Sequence, residues 1–307
     1  MIQFRQILAK IFAGAAYAVL DFAGWKKKTV EANLMHVSQG TWGRGVAGLE
    51  PRELYKKMLK NLTRHVGELL FCFDTYKNLP ENCAAYPCER DGFIFDTAEK
   101  SKPVIEKMRR GGIFLTAHYG NYEASGAWLC ALGVPLKASF IPLKPDALNR
   151  FVYEKVRCVR GRPYSINART PREFFALLDG TAPDCNGQKQ LFCLLADQDS
   201  RINSAMDGTF LGCPAKINPL PDFLLKHRPN TPVFFCWIEE RGSRKTLHAV
   251  EAVAYQKLDS RLRENDSHSI VDGAYRNWLE ERIQENPALW YGWTHRRFKS
   301  KNPEIYG

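Results

Sequence analysis

Residues 111–129, GGIFLTAHYGNYEASGAWL, constrain the fold more than any other stretch of the chain. A glycine pair precedes a short apolar run over 113–117. A run that brief, bounded by glycine, reads as a buried strand. From Tyr122 onward the residues read as a helix with Ala and Trp in its interior. The junction between them holds His118, Gly120, Asn121 and Glu123. Strand ends and helix N-termini converge at such junctions, which is where α/β proteins place ligands. A His and a Glu with four residues between them across the turn can serve as a base and its orienting carboxylate.

The chain from residue 93 repeats this alternation. Helices are expected over 97–110, 145–160, 171–179, 218–227 and 267–285. Strands are expected over 134–143, 190–196, 231–238 and 247–255. Pro-Asp opens the 145–160 helix and Gly180 closes the 171–179 helix, both at positions those residues favour. Strands alternating with helices imply an α/β fold with a mostly parallel central sheet flanked by helices. Before this region, 50–75 places Leu54, Met58, Leu62, Val66, Leu69 and Leu70 near helical period. That segment reads as an amphipathic helix with a basic face, on whose surface His65 sits as an ordinary residue. Residues 78–92 read as a loop.

The N-terminus is apolar over 11–24 but carries Asp21, and Trp25 and Lys26 to Lys28 follow at once. A spanning helix needs about 20 apolar residues, so the run falls short. The preferred reading is a helix lying on a membrane interface, with its aromatic and basic residues at headgroup level. The alternative is a core helix followed by a solvated Lys run. With 44 Lys and Arg against 33 Asp and Glu, the net charge is +11, which favours an anionic partner. The 45% hydrophobic content is that of a globular chain. Nine scattered Cys contain no CxxC pair. That argues against a zinc site and predicts reduced thiols in a cytoplasmic setting.

Several residues can carry chemistry. His118 is the natural base for an oxygen nucleophile, with Glu123 fixing its tautomer. No Ser lies in a GxSxG elbow, so a serine-hydrolase reading lacks its nucleophile. Taken alone, HxxxxE is a weak pattern, and a satisfied His beside a helix N-terminal Glu is its plain alternative. Asp197-Gln198-Asp199 follow a predicted strand and face the same edge, for substrate or for a simple turn. Arg150 and Arg157, seven apart on one predicted helix, suit a phosphate or a solvated face. Trp290, Trp293, His295, Arg296 and Arg297 mix aromatics with cations, as a membrane interface, a phosphorylated ligand or a packed tail would require. Backbone N–H groups near Gly120 and Asn121 are candidate donors to an oxyanion.

Taken in order, these pieces resemble the bacterial lipid A late (secondary) acyltransferases, the lauroyl/myristoyl transferase group, and the related mannoside acyltransferases. The marks are AHYGNYE, KPDALNRFVYEKVR with Arg150, LLADQ with Asp197 and Gln198, FLGCPAKI, and PALWYGWTHRRFK. Upstream, GWKKKTVEANL is similar to the segment after that family's membrane helix. The resemblance implies a glycerophosphate-acyltransferase-like α/β domain over 29–307 after a membrane-associating segment over 1–28. It implies transfer of a fatty acyl chain from acyl carrier protein or acyl-CoA to a hydroxyl of a phosphorylated glycolipid such as a lipid A precursor. His118 would be the base and Glu123 its carboxylate, although many members carry Asp there. Asn121, Arg150, Arg157, Asp197 and Gln198 would serve the substrate site. Neither metal nor cofactor is implied, and the expected setting is the cytoplasmic, anionic face of the bacterial inner membrane. Three alternatives stand beside it, among them a catalytically silent membrane scaffold, which measured acyl-transfer turnover would exclude. One is the same fold acting on a lysophospholipid, an aminolipid or a mannoside. Another is a basic nucleic-acid-binding protein, which the spread of cations over amphipathic helices beside apolar segments disfavours.

Overall fold

The computed structural model describes residues 2–42, 48–140, 144–167, 170–256 and 269–307. Twelve strands are seen among them: β1 Cys88–Arg90, β2 Phe93–Thr97, β3 Gly112–Thr116, β4 Leu136–Ser139, β5 Cys158–Val159, β6 Arg162–Pro163, β7 Ser165–Ile166, β8 Leu191–Leu195, β9 Met206–Phe210, β10 Cys213–Ile217, β11 Val233–Arg241 and β12 Arg244–Glu251. The helices are α1 Ile2–Phe22, α2 Lys27–Gln39, α3 Pro51–Phe71, α4 Phe73–Lys77, α5 Lys102–Met108, α6 Tyr122–Ala131, α7 Asp146–Phe151, α8 Pro171–Asp179, α9 Leu220–His227, α10 Val253–Gln256 and α11 Arg276–Glu285.

Eight strands form one sheet in the order β1-β2-β12-β11-β3-β8-β4-β7. The run β11-β3-β8-β4-β7 is parallel throughout. Its polarity then reverses at the antiparallel β11–β12 hairpin, beyond which β12 and β2 run parallel to each other. The expected mostly parallel sheet is therefore present, with one reversal inside it and a second at its edge, where β1 pairs antiparallel with β2. The inner reversal has a local cause: Gly242-Ser243 joins β11 to β12, and Gly242 has φ 59°, the two-residue turn with glycine first that closes a hairpin.

The central strands are apolar without alternation because both faces are covered. Ile113, Leu115, Phe192 and Leu194 pack on one side with Trp290, Trp293, Tyr275 and Trp278. Phe114, Leu191 and Cys193 pack on the other with Trp128 and Leu129 of α6. The aromatic tail expected either at a membrane or folded in is thus core: Trp290, Trp293 and Phe298 are fully buried.

Several expectations shift. The 145–160 helix ends at Phe151 and continues as a wider turn over Val152–Val156. The strand expected over 247–255 starts earlier, at Arg244, and gives way to α10. The ends of two expected elements, 141–143 and 267–268, lie outside the described residues. Cys83 and Cys88 are joined by a disulfide where only reduced thiols were expected. The short turn before β1 brings their Cα atoms to 5.6 Å, within bridging range; the other seven Cys are free. His65 is buried, not a surface residue of α3.

No single described helix is long and apolar enough to cross a membrane; α1 and α2 meet at a 76° bend and pass that test only as a pair. One edge of α1 packs along α3, through Ala9, the Phe12–Phe71 ring contact and a hydrogen bond from Tyr55 Oη to the Leu20 carbonyl (3.2 Å). The opposite face exposes Phe4, Ile7, Ile11, Val19 and Phe22 at helical spacing. The α1–α3 contact is tightest at Gly67, where an added Cβ would lie 2.6 Å from the Ala9 carbonyl oxygen. Gly67→Ala therefore sets two effects against each other. The helix gains about 1 kcal/mol of propensity, whereas crowding rigid backbone costs about 1–3 kcal/mol. Crowding should win: the variant is expected to melt lower and to be cut faster within α1 by a protease. A variant with a raised melting temperature would show that the two helices part freely.

Candidate active site

Parallel register builds the site. Thr116 of β3 pairs with Leu195 of β8, and Ala196 N donates to the Thr116 carbonyl (3.2 Å). His118 and Asp197 each leave their strand two residues past that pair. Adjacent parallel strands thus deliver an imidazole and a carboxylate to the same level of the sheet's C-terminal edge. His118 Nδ1 lies 2.9 Å from Asp197 Oδ1, and the His118 backbone N–H donates to Oδ2 (3.1 Å). The indole N–H of Trp290 donates to the same Oδ2 (2.9 Å).

This arrangement corrects the expected dyad. The carboxylate bonded to His118 is Asp197, not Glu123. Glu123 sits on the first turn of α6, and its carboxylate is clasped by Arg157, Nε to Oε2 at 3.0 Å and Nη2 to Oε1. The helix start turns Glu123 away from the ring nitrogen, while strand register brings Asp197 to it.

Burial by itself would push the Asp197 carboxyl up. The His118 charge, the His118 hydrogen bonds and the Trp290 N–H outweigh it and hold the group down at about 2. Burial likewise disfavours the imidazolium of His118, but the Asp197 charge and hydrogen bond prevail and raise its pKa above the usual value. With Asp197 ionised and accepting at Nδ1, the hydrogen-bond network assigns the proton of neutral His118 to Nδ1. The Nε2 lone pair is left facing outward. There Gln198 Nε2 lies 3.4 Å from His118 Nε2 and 3.5 Å from His295 Nε2. The His118 ring meets Tyr122 edge-on at 5.1 Å and lies 5.4 Å from the His295 ring.

Beside Tyr122 a narrow cleft of about 50 Å³ lies against one face of the sheet, lined by Phe114, Leu136, Ala138, Cys193 and Leu195, with the Glu123–Arg157 pair in its wall. The remaining expected residues separate. Asn121 is buried, and its amide donates to Glu68 Oε2 (2.9 Å) and Tyr76 Oη (3.1 Å), so it braces the turn. Arg150 is exposed on α7, apart from Arg157, because the wider turn after Phe151 breaks the shared helical face. Asp199 ties down the tail by accepting from the Ser300 N–H and hydroxyl. The Gly120 N–H is occupied by the Leu289 carbonyl (2.8 Å) and is no oxyanion donor.

Tyr291 is not singled out in the sequence, and Trp290 and His65 are named there without the roles they have here. The 287–294 segment lies along the turn: Tyr119 bridges Trp290, and the Tyr291 N–H donates to the His118 carbonyl (2.7 Å). Tyr291 Oη meets His65 Nδ1 at 2.5 Å, and His65 Nε2 meets Glu240 at 2.9 Å. Around Glu240 and Glu68 gather Arg64 and Lys245, a largely buried layer of paired charge behind the His118 turn. Among the described residues no cluster of His, Cys, Asp and Glu could hold a metal ion. No protein-family model matches the chain, and no curated protein matches its sequence.

Trp290→Phe removes one donor from a buried carboxylate, an effect of about 1.5–3 kcal/mol, in addition to the cost of repacking the smaller ring. The folded Asp197 pKa lies below the unfolded value. Its stabilisation is therefore complete at neutral pH and is lost as pH falls from about 4 toward 2. Urea unfolding at stepped pH should show the gap between wild type and Trp290→Phe narrowing over that window. A gap independent of pH would mean that the indole does not bear on the carboxylate.

Proposed function

We propose that this protein transfers a fatty acyl chain from acyl carrier protein, or from acyl-CoA, to a hydroxyl of a lipid A precursor or a similar phosphorylated bacterial glycolipid. The observation that carries the reading is the His118–Asp197 pair, whose outer nitrogen meets, among the described residues, only the Gln198 amide (3.4 Å) and whose ring abuts Tyr122 at the end of an apolar cleft. Among the described residues no Ser or Cys side chain hydrogen-bonds that nitrogen, so the oxygen nucleophile is assigned to the acceptor.

His118 Nε2 takes the acceptor hydroxyl proton as the oxygen attacks the thioester carbonyl. Asp197 holds the imidazole in orientation and stabilises the imidazolium. The tetrahedral intermediate collapses with cleavage of the C–S bond, and Nε2 returns the proton to the departing thiolate. The Gln198 amide and the His295 imidazole converge where the oxyanion would form and are the assigned donors. Burial, then the His118 charge, lowers the His295 pKa, which favours a neutral ring that still presents one N–H. The apolar side chains beyond Tyr122 are assigned to the first carbons of the acyl chain. The Glu123–Arg157 pair stiffens its wall without entering the proton transfer.

The exposed apolar stripe of α1, with Trp25 and the exposed Lys26 and Lys28 beyond it, supports attachment to an anionic surface. The cytoplasmic face of the inner membrane, where a thioester donor and a lipid acceptor meet, is the proposed site of action.

His118→Ala should abolish acyl transfer with the fold intact, measured with a labelled acyl donor and a glycolipid acceptor; persistent turnover would refute the base. Gln198→Ala should lower kcat by about 100-fold, as loss of one oxyanion donor does, with little change in KM. Because the His118 pKa is raised, the acidic limb of kcat/KM should have its midpoint above 6.5. A midpoint below that value would contradict the pairing with Asp197.

A further inference from the structure

A second cavity lies away from His118, along the edge where α1 meets α3. The two helices touch at Ala9 with Gly67 and again at Leu20 with Tyr55. Between those contacts Ala13 and Gly14 are too small to fill the seam, and a solvent-open groove of about 770 Å³ results. Tyr17 and Phe93 add to its apolar lining.

Its charge is one-sided. Lys10 of α1 and Lys60 of α3 line the groove and are exposed, and neither has a carboxylate partner among the described residues. Deeper in, Arg64 and Lys245 also line it. The one carboxylate of the lining, Glu68, is already held by both, at 3.2 Å from each. An apolar trough with two unpaired cations at its rim matches an acyl chain carrying an anionic head. The other face of α1 carries the exposed stripe of Phe4, Ile7, Ile11, Val19 and Phe22. A helix resting on a bilayer through that stripe sets the groove beside the lipid headgroups.

We propose that this groove is a binding site for one anionic phospholipid drawn from the membrane surface, with the acyl chain against Ala13, Tyr17 and Phe93 and the phosphodiester between Lys10 and Lys60. The proposal stands apart from the chemistry at His118. Glu68 nevertheless joins the two places, since it lines the groove and accepts from Asn121 of the catalytic turn. Occupation of the groove therefore braces the charged layer behind that turn.

The test is calorimetric titration of the full chain with dihexanoyl phosphatidylglycerol, and separately with dihexanoyl phosphatidylcholine, both below their micelle concentrations. Monomeric lipid separates binding in the groove from adsorption of the apolar stripe. One phosphatidylglycerol per chain should bind, at least about tenfold more tightly than phosphatidylcholine. Lys60→Glu, a surface change that leaves packing alone, should weaken the glycerol lipid about tenfold and the choline lipid, whose phosphate is already offset by its own cation, by less. Ala13→Trp, checked for native circular dichroism, should abolish binding of both, and Phe22→Ser on the opposite face should alter neither. No binding, equal affinity for the two lipids, or unchanged affinity in Lys60→Glu would each overturn the proposal. No turnover is measured, so a protein inactive in acyl transfer can still pass, and an active one can still fail.

Discussion

The hydrogen bond between His118 and Asp197 depends on the parallel pairing of β3 with β8. A slip of one residue would point the Asp197 side chain to the other face of the sheet, because side chains alternate along a strand. Register is held from both sides. The apolar runs of the two strands are buried on both faces, and Tyr275 Oη donates to the Thr116 carbonyl (2.8 Å) at the last paired position. The tail then closes over the pair, with Trp290 on the carboxylate and Tyr291 on the His118 backbone. A carboxylate that is fully buried would normally be protonated or excluded. Here two N–H donors, the His118 backbone and the Trp290 indole, and the His118 imidazole share it, so it stays ionised and confers directionality on the ring.

Behind the turn, the charged layer of Arg64, His65, Glu68, Glu240 and Lys245 ties α3 to the β11–β12 hairpin. The Lys245 ammonium, nearly inaccessible, contacts both carboxylates, and burial, which would raise the Glu240 carboxyl, is overcome by His65, Lys245 and Arg64, which hold it low. Buried pairs of this kind add little net stability, but breaking one partner is costly. Their effect here is positional. They fix α3 against the sheet, and through Tyr291 and Asn121 they fix the two ends of the segment that carries His118.

The strand–turn–helix that holds His118 was legible because glycine, an apolar run and a helical start are local signals. So was the Pro171–Asp179 helix, whose Thr170 and Glu173 form a capping box and whose end is Gly180. The mostly parallel sheet followed from alternation. Its reversal at Gly242-Ser243 is written in a two-residue turn whose hairpin meaning depends on the neighbouring strand pairing. The orienting carboxylate was misassigned for a related reason. Glu123 is close in sequence, whereas Asp197 is 79 residues away and adjacent only through strand register. Trp290 offered no signal of its donor role, since an indole in an aromatic tail reads as packing. His65 looked like surface because its helix is basic; only the carboxylate of Glu240, on a strand far along the chain, makes its burial tolerable.

The central claim is that Asp197, and not Glu123, governs His118. It is tested most directly by ¹⁵N NMR titration of the His118 ring in the wild type, in Asp197→Asn and in Glu123→Gln. The wild type should titrate above 6.5 with the neutral ring protonated at Nδ1. Asp197→Asn should lower that pKa and lose the single tautomer, while Glu123→Gln should leave the tautomer intact and the pKa only slightly changed. A shift in Glu123→Gln as large as that in Asp197→Asn would contradict the account.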